Sequence, residues 1–169
     1  GHKDEPALRV MAALLNDRTG RLYKSLVLQQ QVATMAFASQ NDHNYEGYIE
    51  FRGVARQGKT PEEVEKAIDS ELLKLQSEVV PDRELQKTKN NMAAAEVRRL
   101  QSDFSLMMQI LVNDADRGWR TLNTDPQRLQ AVTAADVQRV AKQYLVKENR
   151  NVMLVYRKGA AQVQAGGAQ

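Results

Sequence analysis

The chain has 169 residues, 42% of them hydrophobic, which is enough apolar material for the core of one domain. Its 24 Lys and Arg stand against 21 Asp and Glu, a net +3 spread among interleaved acids, and only 5% of residues are aromatic; both the basic footprint and the stacking platform of a nucleic-acid binder are therefore missing. The absence of Cys excludes disulfides, thiolate metal sites and Cys nucleophiles, and no apolar run approaches the roughly 20 residues a membrane-spanning helix needs.

Gly1-His2 reads as a tag remnant. A helix is predicted from Glu5-Pro6, with Asp4 as its cap, Pro at the first position, and Leu8, Met11, Ala12 and Leu15 along one face. It stops at Asn16-Asp17. Gly20 breaks the loop, and Leu22 with Leu26 marks the buried side of a short helix running to about Leu28. Gln31 to Ser39 is a strand candidate, apolar or small on both faces as in a strand covered on both sides. After a polar stretch to Glu46, Gly47 to Ala55 alternates Ile49 and Phe51 with Glu50 and Arg52, which predicts a half-exposed strand antiparallel to the first.

Thr60-Pro61-Glu62-Glu63 combines an N-cap, Pro at N1 and Glu at N3, so a helix starts there and runs to about Val79 with Val64, Ala67, Ile68, Leu72 and Leu75 inward. Pro81-Asp82 caps the next, to about Leu100, with Leu85, Met92 and Ala95 inward. Ser102-Asp103 starts a third, whose stripe of Phe104, Met107, Met108, Leu111 and Ala115 is expected in the core, and Gly118 closes it. Asp125-Pro126 caps a short helix, and Thr133 to Asp136 caps the last, with Val137, Val140, Ala141 and Tyr144 inward. Asn151 to Tyr156 reads as a final apolar strand, and residues 160–169, rich in Gly, Ala and Gln, as a disordered tail.

Helices segregated against one sheet make a two-layer α+β domain, with an antiparallel or mixed sheet, over residues 1–159. The sheet is thin and the first helix has no preceding strand to pack on, so the domain is expected to be truncated at its start. An unpaired edge near Gln31 to Ser39 or Asn151 to Tyr156 would then favour edge-to-edge self-association.

Several pieces together carry a family resemblance. They are the segment Leu14 to Ala38 with Gly20-Arg21-Leu22-Tyr23 inside it, Gly58 to Ile68, Leu73 to Glu78, Glu84 to Asn90, Gly118-Trp119-Arg120, Val132 to Val137, and Tyr144-Leu145. In order and spacing they resemble the insulinase/pitrilysin-like zinc metallopeptidases. The resemblance implies a metallohydrolase domain of the LuxS/processing-peptidase type, used in pairs, in which one copy bears zinc on H-x-x-E-H and the other closes over the peptide substrate. This chain has only His2 and His43, too far apart for such a motif, so it resembles the second kind: a non-catalytic companion domain, inactive alone and holding no cofactor. Zinc would belong to a partner domain of the same or a paired chain, and the protein would be exported, as in the periplasm. Where many relatives offer the substrate an Arg and a Tyr seven residues later, the matching positions here are Val27 and Thr34, so neither side chain is retained. The alternatives are an inactive structural subunit or a helical interaction module.

Other residues read blandly. His43 sits in a polar loop, and the acids Glu62, Glu63, Glu65, Asp69 and Glu71 favour the N-terminal turns of a helix and make a solvated face. Arg98, Arg99, Asp103, Arg139 and Lys142 are outer-face charges, the methionines are core filler, and Trp119 plugs a seam between helices. Ser25 and Ser70 have no partnered His.

Overall fold

The computed structural model describes residues 2–16, 19–41, 47–116, 118–120 and 124–156; His43 and the expected tail lie outside them. Helix α1 is Glu5–Leu15. A π-helix, Tyr23–Gln29, leads into β1, Ala33–Asn41, which pairs with β2, Tyr48–Ala55. Five helices follow: α2 Pro61–Ser77, α3 Asp82–Leu100, α4 Asp103–Asp116, α5 Asp125–Ala131 and α6 Ala134–Tyr144, with a 3₁₀ turn at Lys147–Asn149. The result, among the described residues, is a helix-dominated α+β fold with one two-stranded antiparallel sheet.

Capping chemistry sets the two best-defined helix starts. The Glu63 amide donates to Thr60 Oγ1 (3.3 Å) while the Thr60 amide donates to a Glu63 carboxylate oxygen (2.8 Å). Thr133 and Asp136 repeat the exchange at α6, at 3.1 and 3.0 Å. Each reciprocal pair satisfies two amides that no helical carbonyl can reach, a device worth about 1 kcal/mol per cap.

The register Ala36↔Gly53, Ala38↔Phe51 and Gln40↔Ile49 puts small and apolar residues on one face of the sheet. That face joins Val10, Met11, Leu14, Leu15, Leu26, Val64, Leu75, Val137 and Val140 in one core. Fully burying one such Leu stabilises by about 1.5–3 kcal/mol. Gly53 is where α2 comes closest to β2: a Cβ built there would stand 2.4 Å from Val64 Cγ1.

The structure departs from the sequence-based expectation in five places. The opposite sheet face is not covered, since Thr34 and Met35 are exposed and the Arg52 guanidinium lies over the Phe37 ring at 5.7 Å. Both faces of β1 look apolar only because Met35 and Phe37 occupy the outer one. Residues 151–156 form no strand: Val152, Met153, Val155 and Tyr156 are exposed, and the segment is tied to α2 by Arg150 on Asp69 (2.8 and 2.9 Å) and Glu65 and by the Tyr156 hydroxyl on Glu62. The acidic face of α2 is thus partly occupied, and Glu71 is buried, accepting from Lys74 Nζ at 2.7 Å.

The stripe on α4 is not core, because Phe104, Met107, Met108 and Leu111 are 69%, 48%, 42% and 56% exposed. Trp119 is likewise exposed, with the Arg120 guanidinium 4.7 Å above its ring. Helix α1 lies against β1, α3, α5 and α6, with Val10 and Leu14 joining Met11 and Leu15 inside.

Candidate functional site

The two positions singled out by the family pattern, Val27 and Thr34, stand on the two most irregular pieces of backbone in this part of the chain. Val27 lies within the π-helix, half-buried against the core. There the Gln30 amide donates to the Ser25 carbonyl at 2.8 Å, one residue further back than in an α-helix, and the Val32 amide reaches Leu26 at 3.0 Å. The wider turn accommodates an extra residue between the buried Leu22 and Leu26 and the start of β1. Gln30 Nε2 closes it by donating to Ser25 Oγ at 2.7 Å.

Gln31 then takes φ +53°, the left-handed region that a non-glycine residue enters at a cost of about 1 kcal/mol or more. Its side chain is held there, since Gln31 Oε1 accepts from the Arg56 guanidinium at 3.1 Å, and the Arg56 amide donates to the Val32 carbonyl at 2.9 Å.

Thr34 is the extra residue of a β-bulge, since Ala33 pairs with Ala55 and Met35 with Val54. A bulge turns one side chain away from the regular alternation. Thr34 is exposed, and its hydroxyl donates to the Val54 carbonyl at 3.3 Å. Site-like backbone is therefore present without site-like chemistry: Val27 offers no polar atom, and Thr34 spends its hydroxyl on the neighbouring strand. Leu28 and Met35, 56% and 45% exposed, make the flanking surface apolar.

The polar cluster missed by sequence reasoning is at the start of α1. Asp4 and Glu5 are buried side by side. The Asp4 carboxylate caps nothing; it accepts from the Arg139 guanidinium and the Tyr144 hydroxyl, both at 2.8 Å, so Arg139 is not merely an outer-face charge. The bond from Arg139 holds the Asp4 carboxyl below the usual carboxylate range against the opposing effect of burial, and burial with the Asp4 bond pushes the Tyr144 phenol up. Glu5 lies beside Arg9 (3.5 Å) and Arg128 (3.6 Å), and Arg9 also holds Asp125 at 3.1 Å. Two buried acids ringed by three guanidiniums fasten α1 to α5 and α6. With the Asp4 oxygens engaged by strong donors and the exposed His2 the only histidine beside it among the described residues, the cluster is a clasp rather than a catalytic pair.

A second clasp joins the π-helix region to α3. Arg21 grips Glu84 with two bonds of 2.8 Å, which lowers the Glu84 carboxyl. Lys89, also buried, donates to the Gln130 carbonyl at 2.8 Å and so closes the C-terminal end of α5, at the wall of an open cleft of about 600 Å³ between α3 and the start of α6. Among the described residues no group of three or more His, Asp or Glu could hold a metal ion, and the sequence contains no H-x-x-E-H, so a zinc site of that kind does not fit this chain.

Comparison with known proteins fits this arrangement. The chain matches the family described as the peptidase M16 inactive domain over residues 1–92. No curated protein sequence matches it. Among solved structures it is similar to the inactive peptidase domain of a protein assigned as a zinc protease from Bordetella parapertussis, at 24% identity and a TM-score of 0.84, covering 95% of this chain and 87% of that one. A protein with the same assignment from Bordetella pertussis Tohama I follows at 23% and 0.81, covering 94% and 87%. A protease from Helicobacter pylori is similar at 24% and 0.81 over 88% of this chain, which spans only 36% of that longer one. At these identities the likeness establishes the fold. The family match takes in α1, the π-helix, both strands, α2 and the first half of α3, more than half of the sequence and all of the irregular backbone around Val27 and Thr34, and the chain accordingly belongs to the peptidase M16 inactive-domain family.

Proposed function

We propose that this chain is the non-catalytic companion domain of an insulinase/pitrilysin-like zinc metalloendopeptidase, closing over a peptide while another domain supplies the H-x-x-E-H zinc site. The observation that carries this reading is the pairing of family membership with irregular backbone at two positions, Val27 and Thr34, that bring no charge or phenol to it. Such a surface can position a substrate but cannot stabilise a transition state. Main-chain pairing offers one way to do so. In the sheet as described, β1 and β2 pair only with each other, and each leaves one edge open to an extended peptide. The same open edges support edge-to-edge self-association. An exported, periplasmic location belongs to the same proposal and is supported by kinship with bacterial proteases.

The test uses the purified chain, a fluorogenic peptide mixture and a zinc-bearing M16 domain carrying H-x-x-E-H. The chain alone is expected to be inactive and to retain no zinc after dialysis, while adding it to the zinc-bearing domain raises kcat/KM at least about tenfold through substrate positioning. Chelator-sensitive hydrolysis by the chain alone, or no change on mixing at saturating concentrations, overturns the proposal.

A further inference from the structure

The largest surface left without a role is the outer face of α4. An α-helix apolar over most of its circumference is ordinarily buried. Here Phe104, Met107, Met108, Ile110, Leu111 and Val112 are 41–69% exposed, and the helix packs chiefly on α3. Apolar side chains of this size present on the order of 150–200 Å² each when free, so these exposures leave roughly 600 Å² of contiguous apolar surface, and Trp119 adds to it at the C-terminal end. That lies at or above the upper limit for a typical monomer patch, about 300–600 Å², and is close to the roughly 800 Å² per partner of a stable dimer.

We propose that this face is a homodimer surface, with α4 packed antiparallel against α4 of a second copy. The spacing of Phe104, Met107, Met108, Leu111 and Ala115 is the i, i+3, i+4, i+7, i+11 seam that helix pairing needs. The helix dipoles select the orientation. A two-fold antiparallel pairing centred on this seam lays the N-terminal end of each α4 against the C-terminal end of the other and opposes the two dipoles favourably, whereas parallel pairing would set them side by side in the unfavourable sense. The surface is independent of the open strand edges, which lie on the sheet.

Sedimentation velocity over a concentration series tests the proposal on the full 169-residue chain. A monomer–dimer equilibrium with Kd in the micromolar range or tighter is expected. Leu111→Glu, at an already exposed position, should leave the melting curve unchanged and raise Kd by about tenfold or more. Phe104→Glu, at the most exposed position of the seam, should weaken the dimer by a similar factor. A chain that stays monomeric at high concentration, or a dimer indifferent to Leu111→Glu and Phe104→Glu, overturns the inference; indifference to both would instead favour the strand edges.

Discussion

The close approach of α2 to β2 makes Gly53→Ala an informative substitution. The added Cβ would stand 2.4 Å from Val64 Cγ1, well inside any real carbon–carbon contact, and the next neighbour is Ile68 Cδ1 at 3.6 Å. Val64 is 4% exposed and, being β-branched, has no alternative rotamer free of the preceding turn, so the helix itself must lift. Overpacking of this kind costs about 1–3 kcal/mol, and replacing Gly with Ala returns roughly 0.5–1 kcal/mol by restricting the unfolded chain. The net expectation is a loss of about 1–2 kcal/mol, or a Tm lowered by about 2–8 °C for a chain of this length. Urea unfolding followed by circular dichroism measures it. Val64→Ala alone leaves a small cavity and should cost about 1–3 kcal/mol. In the double variant the new methyl occupies the space vacated by Cγ1, so the combined loss should fall short of the sum by about 1 kcal/mol. A Gly53→Ala protein within 0.5 kcal/mol of the parent, or strict additivity in the double variant, would refute the packing argument.

Leu26→Ala should cost about 2–5 kcal/mol, whereas Leu111→Ala, on the exposed α4 face, should stay within about 0.5 kcal/mol when measured below the dimer Kd; the reverse ranking in denaturant titrations would mean the two faces are exchanged. Asp4→Asn should cost about 1–2 kcal/mol at neutral pH, because the charge-assisted bonds from Arg139 and Tyr144 are replaced by weaker ones. The Asp4 carboxyl is depressed in the folded chain, so its contribution is fully present above the unfolded-state value, near pH 4, and is lost as the pH falls through the lower folded value. The gap between parent and Asn variant should therefore be flat from about pH 6 to 8 and close in acid; a gap that widens in acid would contradict the assignment. Thr60→Ala and Thr133→Ala should each cost about 1 kcal/mol in thermal unfolding, and a null effect at both would argue against the reciprocal caps.

What could be read from the sequence was local chemistry. The capping boxes at Thr60 and Thr133 and the alternation of Ile49 and Phe51 with Glu50 and Arg52 announce α2, α6 and β2, because the interactions that define them span only a few residues. The clasp on Asp4 is invisible at that scale. Asp4 looks like a cap until Arg139 and Tyr144 arrive from 135 and 140 residues away. Residues 151–156 have a strand's composition, but a strand exists only as a ladder, and here Arg150 and Tyr156 fasten the segment to α2 instead. The stripe on α4 has a core's periodicity, which reports that a face is apolar and not what covers it.

At the candidate site, Val27 and Thr34 were singled out by family resemblance alone. The π-helix was not, because the spacing of Leu22 and Leu26 suits either kind of turn. The bulge was not, because it is a property of pairing with β2.

The π-turn and the bulge have one thing in common: each is a place where the chain carries a residue more than the regular structure around it requires. Side-chain direction between them is therefore set by counting. Removing a single residue from Tyr23–Gln29 would let the turn relax to an ordinary α-helix and swing everything downstream by about 100° around its axis, while removing Thr34 would restore strict alternation and exchange the inner and outer faces on one side of it. The direction in which this surface points is thus written in the length of the segment, and point substitutions at Val27 or Thr34 alter what is presented there without altering where it is presented.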